Sequence, residues 1–200
     1  ILEGIERATI MRNKSSEYIA ENFSEADAQK FHRKIEKFLR RYELDSAEKS
    51  KLFPETVSVL EKMRKLGVRF GLVTNTSREA VETVFRLHDL KTYFDVVVTR
   101  EDVKKLKPDP EGVLLAVKKL GAKRFFMVGD LVHDASAAKS ANGISIIVKR
   151  GTENNSAINA DYLIRSLSEV PTIVQTFMAL TQTKRASHHC ANQGKNKRLL

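Results

Sequence analysis

Three short polar runs carry the potential chemistry of this sequence: Thr74-Asn75-Thr76-Ser77, Lys107-Pro108-Asp109-Pro110, and Gly129-Asp130 with Asp134 four residues on. The first follows an apolar run and opens a helical pattern, so hydroxyls and free backbone N–H groups meet in an anion site at a helix N-terminus. The third follows Phe125-Phe126-Met127-Val128; two carboxylates there, beside a glycine that permits close approach, suit Mg2+ bound through oxygen and water. Lys107, ahead of Pro-Asp-Pro, places an ammonium group on a rigid turn. An anion cradle, a cation and metal-binding carboxylates are the parts of phosphoryl transfer, a reaction governed by positioning and charge neutralisation. The plainer alternatives are helix capping for Asp130 and Asp134, a solvated lysine beside Lys104 and Lys105 for Lys107, and strand-end packing for Thr74. Arg78 reads as a solvated first-turn arginine, and Arg40, Arg41 and Tyr42 as a solvated helix end in preference to a carboxylate reader.

Such groups converge only if each run sits at the carboxyl end of a parallel strand. The pattern supplies that arrangement. Helices are expected over 56–66, 78–90, 110–120, 135–141 and 168–180, alternating with strands over 68–73, 94–98, 124–128, 144–148 and 161–164. Short β-branched runs between helices read as an α/β fold, a parallel sheet with helices on both faces. Thr76 with Glu79 reads as a capping box, and Asp109 as an N-cap followed by Pro110 at the first helical position. Residues 1–50 read instead as a helical unit of two or three helices, since Ile19, Phe23, Phe31, Ile35, Phe38, Leu39 and Tyr42 fall at spacings near three and four; Ser24 with Asp27 caps one of them. The organisation is thus 1–50 helical, 51–180 α/β core, and 181–200 a disordered basic tail.

Leu72-Val73-Thr74-Asn75, Lys107-Pro-Asp-Pro110 and Gly129-Asp130-Leu-Val-His-Asp134, in that order, resemble the second, third and fourth motifs of the haloacid dehalogenase (HAD) superfamily, in its phosphoglycolate phosphatase-like branch. The resemblance implies a HAD-like Rossmannoid sheet, with residues 1–50 as the remnant of a small helical cap that closes over the site. It implies that Thr74 and the backbone of Asn75 bind phosphate, that Lys107 stabilises the charge of nucleophile and phosphate, and that Asp130, with Asp134 directly or through water, binds Mg2+. The implied activity is hydrolysis of small phosphorylated metabolites through a phosphoaspartate. The first motif of the family, Asp-x-Asp, is absent from all 200 residues. In the family its strand lies at the centre of the sheet, between the strands ending at Val73 and Val128. Those two strands are therefore expected about twice the usual ~4.8 Å apart, with unpaired backbone between them. Truncation of a longer chain is the expected cause, ahead of a split gene or a degenerate homologue that binds a metabolite or protein without catalysis; this chain alone is expected to be inactive. A 2-haloacid dehalogenase, which shares the fold but needs no metal, is disfavoured by the two acidic residues.

Composition fits this reading. The chain carries 35 Lys+Arg against 25 Asp+Glu, formally +10, but residues 181–200 hold five basic and no acidic side chains, half of the excess. The charge therefore reads as a basic end plus local site electrostatics, not as a nucleic-acid surface. The apolar runs fall far short of the roughly 20 residues that cross a bilayer, and the opening residues mix Glu3, Glu6, Arg7 and Arg12 into the apolar pattern, so neither a membrane span nor a leader is expected. One cysteine, Cys190, excludes an internal disulfide and suits a cytoplasmic setting; with His188 and His189 it lacks the second pair of ligands a zinc site needs.

Overall fold

The computed structural model describes residues 18–19, 21–151 and 158–181. All of 1–17, and nearly all of the expected tail (182–200), lie outside the described residues. Helix α1 (Glu25–Glu48) begins at Ser24, whose hydroxyl accepts the Asp27 N–H at 3.2 Å and donates to the Asp27 carboxylate at 2.8 Å. One helix of 24 residues thus fills most of the expected two or three; residues 18–19 and 21–22 are also helical. The α/β part then runs α2 (Thr56–Lys65), β1 (Gly71–Val73), α3 (Arg78–His88), β2 (Val96–Val98), α4 (Glu111–Leu120), β3 (Phe126–Gly129), α5 (Val132–Ser140), β4 (Ile144–Val148) and β5 (Tyr162–Ile164), closing on helical residues 170–181.

The expected elements are present with shifted ends. Helix α2 stops where Gly67 adopts φ +76°, which lets the Gly67 and Val68 N–H groups return to the carbonyls of Arg64 and Met63. At α3 the capping residue is Ser77, not Thr76: the Ser77 hydroxyl accepts the Ala80 N–H, while Thr76 is held in a turn by the Thr74 hydroxyl and Glu79 pairs with Arg40. Helix α5 starts three residues earlier than its apolar pattern indicated because Asp134 caps it from within its first turn, accepting the N–H groups of Asp130 and Leu131 at 3.2 Å. Asp109 accepts the Glu111 N–H at 3.0 Å, but the cap position of α4 falls one residue later than expected, on Pro110, and the helix begins at Glu111.

All strand pairing is parallel, but the sheet is in two pieces: β1 pairs with β2, β3 with β4, and β4 with β5. Among the described residues nothing pairs β1 with β3. Helices bridge the interruption on both faces. On one face, Val59 and Met63 of α2 pack with Ile146 and Ile164 of the three-stranded piece, while Leu60 reaches the cluster around Leu72, Val81 and Phe85. On the other, Val113 of α4 with Ala137 of α5 and Ala141, just past its end, gathers Val73 of β1 and Met127 of β3 into one layer. The two pieces therefore share their helical covers, and between the facing edges of β1 and β3 runs a lane in which no strand lies among the described residues, where the sequence predicts the missing one. Burial follows this division. Ile146 and Ile147 of β4 are fully buried and Val98 of β2 is nearly so, whereas Val128 on the lane is 40% exposed.

Backbone alternation identifies the groups that face the lane. Thr74 N–H bonds Val98, and Asp95 and Val96 bond the Phe70 carbonyl, so Gly71 and Val73 direct their amides away from β2. Ile144 N–H bonds the Phe125 carbonyl, so Phe126 and Val128 direct theirs away from β4.

Glu55, between α1 and α2, ties the junction to the far end of the core. Its Oε1 accepts from Arg150 at 2.6 Å and from the Ser166 hydroxyl at 2.9 Å, and Arg150 lies over the Phe53 ring at 3.7 Å. Mainly through the Arg150 bond, the Glu55 carboxyl is held down to about 2, against an ordinary 4.5. A depressed carboxylate stabilises the fold above its unfolded value, and the contribution is lost as pH falls from about 4.5 to about 2. Glu55→Gln should accordingly be less stable than the parent at pH 7, with the two urea midpoints converging near pH 2.

Candidate active site

Lys107 is the centre of the site. The Lys107–Pro108 peptide is cis. The ammonium Nζ donates to the Val73 carbonyl at 2.8 Å and to Asp134 Oδ1 at 2.7 Å, and both side chains are largely buried. One group thus joins the carboxyl end of β1 to the turn after β3, across the lane, so both strands run toward it. The Lys107 turn is fixed by Asn75: its side-chain NH2 donates to the Lys107 carbonyl, and its Oδ1 accepts the Lys107 N–H, both at 3.0 Å. Asn75 therefore positions Lys107 with its side chain, a role the sequence did not reveal, and leaves its backbone N–H for a ligand.

The expected residues do converge, with different tasks. Thr74 Oγ1 accepts the Thr76 N–H at 3.1 Å, and its hydroxyl proton remains available to donate. Asp134 is committed: Oδ1 to Lys107, Oδ2 to the N–H groups of Asp130 and Leu131. Asp130 is half-buried, and its carboxyl is raised from the ordinary value, first by burial and then by the neighbouring Asp134 charge, against the pull of Lys107 and Lys149. Asp130 is thus the carboxylate that gains most from a cation. Mg2+ takes one or two carboxylates and otherwise keeps water or phosphate oxygens, a demand Asp130 fits without a dense acidic cluster. Among the described residues no group of three metal-capable side chains occurs.

The helix-terminus anion site is smaller than its sequence indicated. Ser77 N–H is taken by Glu43 Oε2 at 3.0 Å, and Arg78 N–H by Glu101 Oε2 at 3.1 Å. Carboxylates of the protein itself occupy the N-terminal donors of α3, which leaves the donors of Thr74, Asn75 and Lys107 as the remaining candidates there. Arg78 and Arg40 are ion-paired instead of merely solvated, with Asp102 at 2.5 Å and with Glu79 respectively. Glu43 and Arg100 were missed; the available signal was the i, i+4, i+7 spacing of Glu36, Arg40 and Glu43 on one helix face.

Gly129 is required by the approach of Asp134: a Cβ at position 129 would stand 2.3 Å from Asp134 Oδ2. Gly129→Ala must displace that carboxylate from Lys107 and from its two N–H donors, and a loss of about 1–3 kcal/mol in urea unfolding is expected.

Known proteins resemble this chain in sequence and in fold. A family model described as haloacid dehalogenase-like hydrolase matches residues 5–148. The pyrophosphatase PpaX of Bacillus velezensis is 38% identical over 123 residues, 58% of this chain and 56% of its own length, so the chain spans little more than half of that relative. A phosphoglycolate phosphatase of Salmonella typhimurium is 30% identical over 193 residues, 96% of this chain and 73% of that protein. Among solved structures, a HAD phosphatase from Thermococcus onnurineus superposes with TM-score 0.62 at 26% identity, covering 85% of this chain and 89% of that one. No helix among the described residues is long and apolar enough to cross a membrane.

Proposed function

The chain belongs to the haloacid dehalogenase-like hydrolases, and on that premise we propose that it forms the greater part of a Mg2+-dependent phosphatase for small phosphorylated metabolites, its nucleophilic aspartate being supplied by a strand outside this sequence. The observation that carries the reading is the Lys107 ammonium at the head of the open lane, held by Val73 and Asp134 and flanked by Thr74, Asn75 and Asp130. A carboxylate arriving at the end of a strand in that lane meets Lys107 directly. The Thr74 hydroxyl and the Asn75 N–H hold the phosphoryl oxygens, and Lys107 offsets the charge shared between phosphoryl group and nucleophile. Asp134 keeps the Lys107 ammonium aimed. Asp130 would hold Mg2+, which supplies Lewis-acid neutralisation of the phosphoryl group.

Two measurements test this. Release of phosphate from an aryl phosphate should be absent for this chain and present when an N-terminal strand ending in Asp-x-Asp is added. Activity of the unextended chain, or inactivity of a well-folded extended one, overturns the proposal; the second result would leave a non-catalytic binding protein. A chelator should abolish turnover, and activity that survives it would point to dehalogenase-type chemistry. For the chain by itself, millimolar Mg2+ should raise the melting temperature through preferential binding to the folded state, and Asp130→Asn should remove that rise.

A further inference from the structure

The contact between α1 and the core is built around a charge, not an apolar seam. Of the 24 residues of α1 only Leu39, Glu43 and Ala47 are buried, a single i, i+4, i+8 stripe with a carboxylate in the middle. Glu43 is 7% exposed and Arg100, just beyond β2, 6%. Glu43 Oε1 pairs with an Arg100 terminal nitrogen, and Oε2 accepts the N–H of Ser77, itself buried. Arg100 also reaches Glu36, one face-repeat earlier on α1, at 3.1 Å, and Glu101 at 3.7 Å. Beside this contact a cleft of about 790 Å3 opens between α1 and α3, lined by Lys37, Arg40, Ser77, Arg78 and Arg100 among others. Apolar contact alone therefore holds α1 weakly, and the Glu43–Arg100 pair decides its seat.

The placement of Ser77 gives this latch a consequence. Ser77 closes the loop that begins at Thr74 and Asn75, so the carboxylate that seats α1 also fixes the C-terminal end of the phosphate-binding loop. We propose that Glu43 is a positioning residue that couples the docking of α1 to the anion affinity of the Thr74–Ser77 loop, through Arg100 on one oxygen and the Ser77 N–H on the other. It rests on the phosphate role proposed for that loop. Coupling of this kind is reciprocal: whatever factor docked α1 adds to anion affinity, bound anion adds to docking.

Amide hydrogen exchange of this chain, with and without inorganic phosphate, tests it. Without phosphate, Glu43→Gln should speed exchange in the 75–77 loop and along α1 by a common factor of about ten, leaving β4 unchanged. With phosphate, the parent should slow exchange both in the loop and along α1. The double variant Glu43→Leu/Arg100→Met, which fills the same space with apolar groups and guards against simple unfolding, should bind phosphate about tenfold more weakly and show no phosphate effect on α1. If Glu43→Gln loosens α1 but not the loop, or if phosphate protects the loop while α1 exchange stays constant in the parent, the coupling is overturned. If phosphate protects neither segment of the parent, the phosphate role of the loop fails, and the latch stands or falls on the Glu43→Gln result alone.

Discussion

Replacing Lys107 by methionine should cost about 3–5 kcal/mol of unfolding free energy, a large share of the roughly 5–15 kcal/mol that holds a domain together. The size follows from what is left behind. Asp134 is 5% exposed and keeps its two backbone donors, but it loses the one cation bonded to it among the described residues, and the Val73 carbonyl loses its partner at the edge of the lane. A carboxylate stranded in that position must either remain charged without compensation or take up a proton. Lys107→Met/Asp134→Asn removes the stranded charge while an amide oxygen can still accept the Asp130 and Leu131 N–H groups, so it should recover most of the loss. Urea denaturation of the two single variants and the double supplies the cycle. A cost under about 1 kcal/mol for Lys107→Met would show that the ammonium is not held as described. In an extended, active enzyme the same variant should lower kcat/KM by about 10²–10³, the scale of losing one preorganised charge-stabilising group.

Supplying the missing strand is the second large effect. An extended segment of about five residues entering the lane buries its own side chains, at roughly 1.5–3 kcal/mol for each large aliphatic one, and covers Val128 and Val73. It also gains net backbone hydrogen bonds worth about 0.5–1.5 kcal/mol each. Against this stands an ordering cost of about 1–2 kcal/mol per residue. The balance is a gain of a few kcal/mol, visible as a rise of several degrees in melting temperature. A more local signature is available. The amides of Gly71, Val73, Phe126 and Val128, which point into the lane, should move from fast to strongly protected exchange, while those of Leu72 and Met127, already facing β2 and β4, should change little. Uniform protection of both sets would mean that the segment stabilises the chain without pairing in the lane.

Much of this architecture was legible because local signals agreed with one another. Helix α2 ends just ahead of Gly67, β4 lies at Ile144–Val148 as its apolar run indicated, and the parallel arrangement follows from the alternation of strands with helices. The order of three polar runs at strand ends placed Thr74, Asn75, Lys107, Asp130 and Asp134 in one neighbourhood, and the absence of Asp-x-Asp marked where the sheet would be interrupted. These are matters of periodicity, capping chemistry and composition, each contained within a dozen residues.

The tasks of those residues were not legible. Asp134 and Asp130 are both carboxylates near one glycine, yet one is consumed by Lys107 and two backbone donors while the other is left half-buried with a raised carboxyl. Asn75 serves Lys107, 32 residues away in the chain, and Glu43 occupies a helix terminus that its own segment never meets in sequence. Hydrogen-bond donors are satisfied by whichever acceptor the packing delivers, so partnership between distant residues is a property of the folded chain. The sequence by itself determined the elements, the strand ends at which the polar runs gather and the motif that is lacking. Tertiary structure alone decided which carboxylate is spent on Lys107 and which backbone donors beside Thr74 are already taken, because both depend on distances that only close packing sets.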